Sequence, residues 1–388
     1  MNAQGAAPLQ SKNTQAVALP RSTSIISPIV DFLSVGGLSM VVLIPLLLSG
    51  VEDLQSIVSL GIVVWFQIII NYAHFMASYR IVYRDRQMIL KHKAATIWVP
   101  LIMLAALVFA IIEVDYGSRV LMTAFFAIGS GYLAWHYTGQ AWGMMVSFAH
   151  LQGTRFDRTE YWLIRGGLRI LLAWHVVWFL RYWTSVETYG PVASLNLYAG
   201  VAYDAVTYGT VLAFLLGAVG LMRMRLRSGQ GPPFRAVVAW AAIFVWYAAV
   251  ARWGLAGLFL VQFAHALQYL EFPARVELNR AIRRPGGHPV SHMVIYGAAV
   301  LTATFLVTLF VPGPTKSVAA TLLGFGPTSV APILVSYFIS VHHFFTDGVI
   351  WKLRMPEVQE DLFSHARPIA ATVPVPPLWW EKRFWRRG

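Results

Sequence analysis

The chain has 388 residues, of which 57% are hydrophobic and only 12% charged, with a mean hydropathy of +0.59. Soluble domains carry about twice that share of charge, so the composition excludes a water-soluble globular protein. The lack of cysteine excludes disulfides, thiolate metal sites, iron–sulfur clusters and a cysteine nucleophile, and leaves imidazole, carboxylate, amide and water as metal ligands.

Residues 1–24 are polar, rich in Ala, Gln and Ser, and read as a disordered cytoplasmic tail. Apolar runs of about 20 residues, enough to cross a hydrocarbon core of about 30 Å, then recur along the chain. They fall at 29–48, 56–79, 94–112, 120–148, 166–184, 198–222, 236–251, 254–271, 293–312 and 318–350. The expected fold class is therefore all-α, a polytopic transmembrane helical bundle of about 10 spans occupying residues 25–355. The seventh and eighth spans meet at Arg252-Trp253-Gly254, as a short hairpin or a partly re-entrant pair. The fourth and tenth exceed the minimal length and are expected to project into the cytoplasm. Residues 356–388 form a cytoplasmic or interfacial tail whose end, from Pro374, alternates Trp with Arg and Lys, a pattern suited to lying on anionic headgroups. The Gly-Gly pairs at 36–37 and 166–167 are read as close helix contacts.

The formal net charge of +13 is a topology signal. With a cytoplasmic N-terminus, all but Arg119, Arg181, Arg252 and Lys316 of the 30 Lys and Arg fall in cytoplasmic segments. Ten spans then place both termini in the cytoplasm, with a bacterial inner membrane the expected location, and no nucleic-acid partner is implied.

Four spans carry histidine inside a polar stripe of helical spacing. The second gives Asn71, His74 and Ser78; the fourth gives His136, Gln140, Gly143, Ser147 and His150. The eighth gives Gln262, His265, Gln268, Tyr269 and Glu271; the tenth gives Ser336, Ser340, His343 and Asp347, with His342 about 100° away. Ionisable groups inside a bilayer are costly and mark a pathway, a cofactor or a metal. All four spans run from outside to inside. His74, His265 and His343 lie six, ten and nine residues before the next basic residue, or about 9–15 Å at 1.5 Å per residue. His136 joins that layer only if the fourth helix protrudes; otherwise His150 lies nearer the surface.

The spacing His343-x-x-x-Asp347 puts an imidazole and a carboxylate one turn apart on one face. The expected ligands are His74, His136, His265, His342, His343 and Asp347, with His342 reaching either a second metal or a supporting partner. Asn71, Gln140, Gln268, Tyr269 and Glu271 are placed to fix the second imidazole nitrogens or to act in catalysis. Such a sulfur-free set suits iron, mononuclear or dinuclear, while zinc would suit a hydrolase. His175, between Trp174 and Trp178 on a span of opposite direction, is read as a core residue. Trp135, Tyr137 and Trp142 are candidates to line a substrate slot.

At class level this arrangement resembles the histidine-rich integral-membrane non-haem iron oxygenases and desaturases. Their HxxxH and HxxHH boxes are absent, and only the His342-His343 doublet is similar. A looser similarity is to the bacterial membrane carotene dioxygenases, which resemble this chain in having single histidines on separate helices around one iron. The resemblance implies His-bound iron at the cytoplasmic ends of the helices. The expected function is an O2-activating, metal-dependent oxidoreductase acting on a lipid-soluble substrate, with a soluble reductase or ferredoxin-like donor supplying electrons unless the reaction is a dioxygenation. A membrane haem protein with two axial histidines, a proton-coupled transporter and a zinc-dependent lipid hydrolase stand as alternatives.

Overall fold

The computed structural model describes residues 22–54, 59–116, 120–186, 196–308, 331–353 and 355–366. Most of both expected tails, the end of the ninth span and the start of the tenth lie outside the described residues. Every element is helical, and no strand occurs among the described residues.

In chain order the helices are α1 (Pro28–Leu48), α2 (Leu60–Tyr83), the short α3 (Arg86–Lys91), α4 (Val99–Asp115), α5 (Val120–Leu151) and α6 (Arg158–Val186). They continue with α7 (Asn196–Ser228), α8 (Phe234–Trp253), α9 (Leu255–Arg283), α10 (Pro289–Thr308), α11 (Ala331–Ile350) and α12 (Pro356–Phe363). Seven of these segments (α1, α4 with its lead-in, and α6 to α10) are long and apolar enough to cross a membrane, and they define an integral membrane protein. Large apolar side chains such as Val41, Phe109, Ile128, Tyr208 and Phe305 stand exposed on the outside, where acyl chains would cover them.

The junction of α8 and α9 is a tight reversal. Gly254 (φ 57°, ψ −128°) sits in a region open chiefly to glycine, and a Cβ at Gly257 would collide with the Ala249 carbonyl. Ala242 and Gln268, at similar distances on either side of the turn, both meet the same stretch of α1. The two helices therefore form an antiparallel hairpin.

That stretch of α1 is a π-helical turn, Leu33–Gly37, with Gly36 at φ 134°. A π-turn frees a carbonyl from the helical ladder, and here Val35 O accepts from Gln268 Nε2 at 2.7 Å. Beside it, Ser34 Oγ donates to Glu271 Oε2 at 2.6 Å. Both glycine pairs hold helices close: a Cβ at Gly36 would overlap that of Ala242, and one at Gly167 would lie 2.6 Å from the Ala213 carbonyl oxygen. The latter contact joins α6 to α7, whose ends are tied by Arg227 Nε on Glu160 at 2.8 Å.

At the end of the bundle that follows α9, Glu277 is buried among Arg80, Arg84, Arg280 and His292. There α12 is anchored by Arg280 and Arg283 on Asp361 and by Asn279 Nδ2 donating to the carbonyls of Asp361 and Leu362. Helices α2, α5, α9 and α11 enclose the centre of the molecule, and the histidine stripes meet there.

Candidate metal centre

Each of the four helices contributes a histidine and, one turn later, a polar side chain: His74 and Ser78, His136 and Gln140, His265 and Tyr269, His343 and Asp347. Residues at i and i+4 share a helix face, so two stacked layers form, one of imidazoles and one of hydroxyl, amide and carboxylate groups.

In the first layer, His343 Nε2 lies 2.8 Å from His74 Nε2 and 3.1 Å from Asp347 Oδ2. His136 Nε2 lies 3.0 Å from His265 Nε2 and 3.8 Å from Asp347 Oδ2, and His74 Nε2 is also 3.8 Å from that oxygen. Ligand atoms of His74, His136, His343 and Asp347 all fall within 4.8 Å of one another, and the five residues are between 0 and 9% exposed. Metal–nitrogen bonds of about 2.0–2.1 Å place two ligands at right angles about 3 Å apart, which is the spacing seen here.

His343 Nδ1 faces the Ser340 carbonyl at 3.2 Å, which fits a proton on Nδ1 and leaves Nε2 of the neutral ring able to act as a ligand. A buried carboxylate with no compensating charge is costly; a divalent ion bound beside Asp347 would supply that charge, as would an imidazolium.

The second layer fixes the carboxylate. Tyr269 Oη donates to Asp347 Oδ1 at 2.9 Å and accepts from Trp351 Nε1 at 2.8 Å; Ser78 Oγ is 2.7 Å from Oδ1. Oδ1 is thus held by hydroxyls while Oδ2 faces the imidazoles. Phe75 against His343, Phe344 against His136 and Tyr137 against His265, each at 4.4 Å between ring centroids, pack around the cluster.

The structure brings His74, His136, His265, His343 and Asp347 together. His136 reaches the layer because α5 continues to Leu151, about 22 Å beyond it at 1.5 Å per residue. His342 lies apart. Its Nδ1 is 3.0 Å from Tyr79 Oη and its Nε2 3.0 Å from the Ala95 carbonyl, so it ties α11 to α2 and to the π-helical turn (Ala94–Trp98) preceding α4. His150 stacks on Phe363 of α12, far along α5 from the cluster. Glu271 faces Ser34 of α1 instead of the imidazoles.

Of the amides, Gln140 Nε2 donates to the His265 carbonyl and to Gln268 Oε1, each at 3.0 Å, and Gln268 reaches Val35. They lock backbone positions of α5, α9 and α1 and do not hold imidazole nitrogens. Asn71 is buried on α2 one turn before His74. Two supporting residues were not assigned from sequence: Ser78, although it lies in the His74 stripe, and Trp351, one turn beyond Asp347. The i+4 spacing was the available signal for both.

No protein-family model, no curated protein and no solved structure matches this chain.

Proposed function

We propose that this protein is an integral-membrane oxidoreductase in which a single non-haem iron, held by His74, His136, His265, His343 and Asp347, activates dioxygen against a lipid-soluble substrate. The observation that carries the reading is the convergence of ligand atoms of His74, His136, His343 and Asp347 within 4.8 Å of one another in a buried site, with His265 Nε2 3.0 Å from His136 Nε2. One carboxylate and this tight spacing favour one ion over a dinuclear centre. A sulfur-free set of imidazoles and one carboxylate would suit iron, and His265 would add a fifth donor beside the four that lie within 4.8 Å of one another. The 2.8 and 3.0 Å separations between nitrogens leave no gap for a porphyrin between facing histidines, which disfavours haem.

An iron held by these residues would supply the electron transfer to dioxygen. The chain's own residues orient it: Tyr269 and Ser78 hold Asp347, and aromatic rings pack around the cluster. Insertion of both oxygen atoms into substrate needs no external reductant. Insertion of one releases the other as water and draws two electrons and two protons from a soluble donor at the cytoplasmic side.

The topology proposed with this function has ten spans and both termini in the cytoplasm of a bacterial inner membrane. The basic residues after α2, α9 and α11 support it through the positive-inside rule. Elemental analysis and an absorption spectrum of detergent-purified protein test the assignment. About one iron per chain without a Soret band is expected; zinc alone or no metal would overturn it.

A further inference from the structure

The four ligand helices do not close fully around the cluster. Between α5, α9 and α11 a cavity of about 210 Å³ is lined along α5 from Tyr132, past His136, to Ser147, and on the opposing side by Phe272, Phe344, Asp347 and Leu353. The lining on α5 extends about 22 Å at 1.5 Å per residue, so the cavity is a slot. Trp135, near one end of that lining, is 51% exposed.

Glycine sets the slot's width. Gly139 and Gly143 lie on α5 and Gly348 on α11. A Cβ at Gly143 would meet no atom within 4 Å, and one at Gly139 or Gly348 would meet only a side-chain atom at 4.0 Å. None of the three has a positive φ, so neither a turn nor a close helix contact explains them. Each costs about 1 kcal/mol of helix propensity against alanine. What they have in common is that a side chain there would fill the slot.

The chemistry of the walls narrows the occupant. Among the described residues no Lys or Arg lines the slot, so no side chain there pairs with an anionic head. Arg165, behind Gly139, is engaged elsewhere: Nη1 donates to the Thr138 carbonyl at 3.0 Å and the guanidinium lies over Trp135. Gln140 Oε1 is buried without a partner on a residue that lines the slot, an acceptor suited to a neutral hydroxyl and unsuited to a carboxylate.

We infer that the slot binds an uncharged, extended single-chain lipid, entering from the bilayer beside Trp135, with the metal-binding cluster against its flank and off centre. His136 is about 6 Å from Tyr132 and about 16 Å from Ser147 along α5, so attack falls nearer one end of the bound chain. This inference deepens the proposed function and rests on it for the word attack; the binding itself does not need the metal.

The test is photo-crosslinking of the full-length protein in detergent with a straight-chain fatty alcohol bearing a mid-chain diazirine, against the matching ionised fatty acid. Iron content is measured on the same samples. The alcohol is expected to label peptides spanning 132–147 and 344–353, and the acid to label them weakly. Gly143→Leu should lower that labelling about tenfold, the affinity equivalent of an overpacked side chain, and leave iron unchanged. Gly143→Ala, which favours the helix, should give a smaller loss and guards against a folding artefact. Equal labelling by alcohol and acid, labelling spread over the lipid-facing surface, or labelling unchanged in Gly143→Leu would each overturn the inference. Wild-type protein without iron that still labels in the slot would sink the oxidoreductase reading and leave the lipid site standing.

Discussion

The Tyr269 hydroxyl donates to Asp347 Oδ1 at 2.9 Å while the other oxygen of the same carboxylate lies 3.1 Å from His343 Nε2. One side chain thus divides its two oxygens between a hydrogen-bonding layer and a ligand layer. Supporting groups of this kind typically control metal affinity by about 10–100-fold. Tyr269→Phe removes the donor to Asp347 and leaves the Trp351 indole N–H without its acceptor. Iron affinity, measured by competition with a chelator, is expected to fall within that range. Ser78→Ala should act in the same direction, and the double variant should cost less than the two singles multiplied, because both hydroxyls hold the same oxygen. Affinities unchanged in both singles would show that Asp347 is held by its helix alone.

Neighbouring histidines on α11 should behave in opposite ways. His343→Ala removes a ligand and should abolish iron retention. His342→Ala deletes the tether to Ala95 and Tyr79, leaves iron bound, and should lower stability by about 1–3 kcal/mol, the cost of orphaning a buried hydrogen-bonding group. Elemental analysis paired with thermal unfolding in detergent separates the two outcomes. Equal loss of iron from both variants would place His342 in the site after all.

The pair also illustrates what the sequence discloses. Helical register puts His343 and Asp347 on one face and turns His342 away, and the same rule lines up His74 with Ser78 and His265 with Tyr269. What register does not disclose is which helix each face meets. Glu271 belongs to the same stripe as Gln268, yet the π-turn of α1 presents Ser34 to it and Val35 to Gln268. That turn depends on the backbone at Gly36, and a hydropathy pattern carries no trace of it. The Arg252-Trp253-Gly254 break marked the end of α8, but the choice of a hairpin over a re-entrant pair is decided by the conformation of Gly254 and the close contact of Gly257 with Ala249. Long apolar helices were legible because apolar length is a local property, and seven of the described ones are long and apolar enough to cross a membrane. The site was legible as four faces, and only packing joins them.

His175 is the buried histidine of α6 that stands outside the cluster. It is fully buried, neither ring nitrogen has a partner, and it packs on Tyr137 and Tyr247 at 6.0 and 5.5 Å between ring centroids. Replacing a buried, unanswered polar group by an apolar one of similar size is close to neutral or stabilising. His175→Leu should therefore retain full iron content and unfold at an unchanged or higher temperature. Tyr137 stands between His175 and His265, so loss of iron from this variant would instead reveal a packing path from α6 into the site.

Acidification should loosen α12 before it disturbs the bundle. His365 follows that helix, donates from Nε2 to the Ser24 carbonyl at 2.8 Å and joins the two terminal segments of the described chain. Burial holds its imidazole below the ordinary range, opposed by the Ser24 hydrogen bond and reinforced by the nearby Arg275. A detached His365 takes up a proton at the ordinary imidazole pKa of about 6.5, whereas the docked one resists it. The detached state therefore binds more protons in the window just below that value. Docking stability is present above the window and is lost as pH falls through it. The same helix is also anchored by Glu360 and Asp361 against Arg283. Amide hydrogen exchange of residues 356–366, corrected for the intrinsic rate, should quicken as pH drops from neutral through the imidazole range. In His365→Phe the exchange should lose that pH dependence. A wild-type profile flat across the imidazole range would show that the arginine–carboxylate anchors alone hold α12 in place.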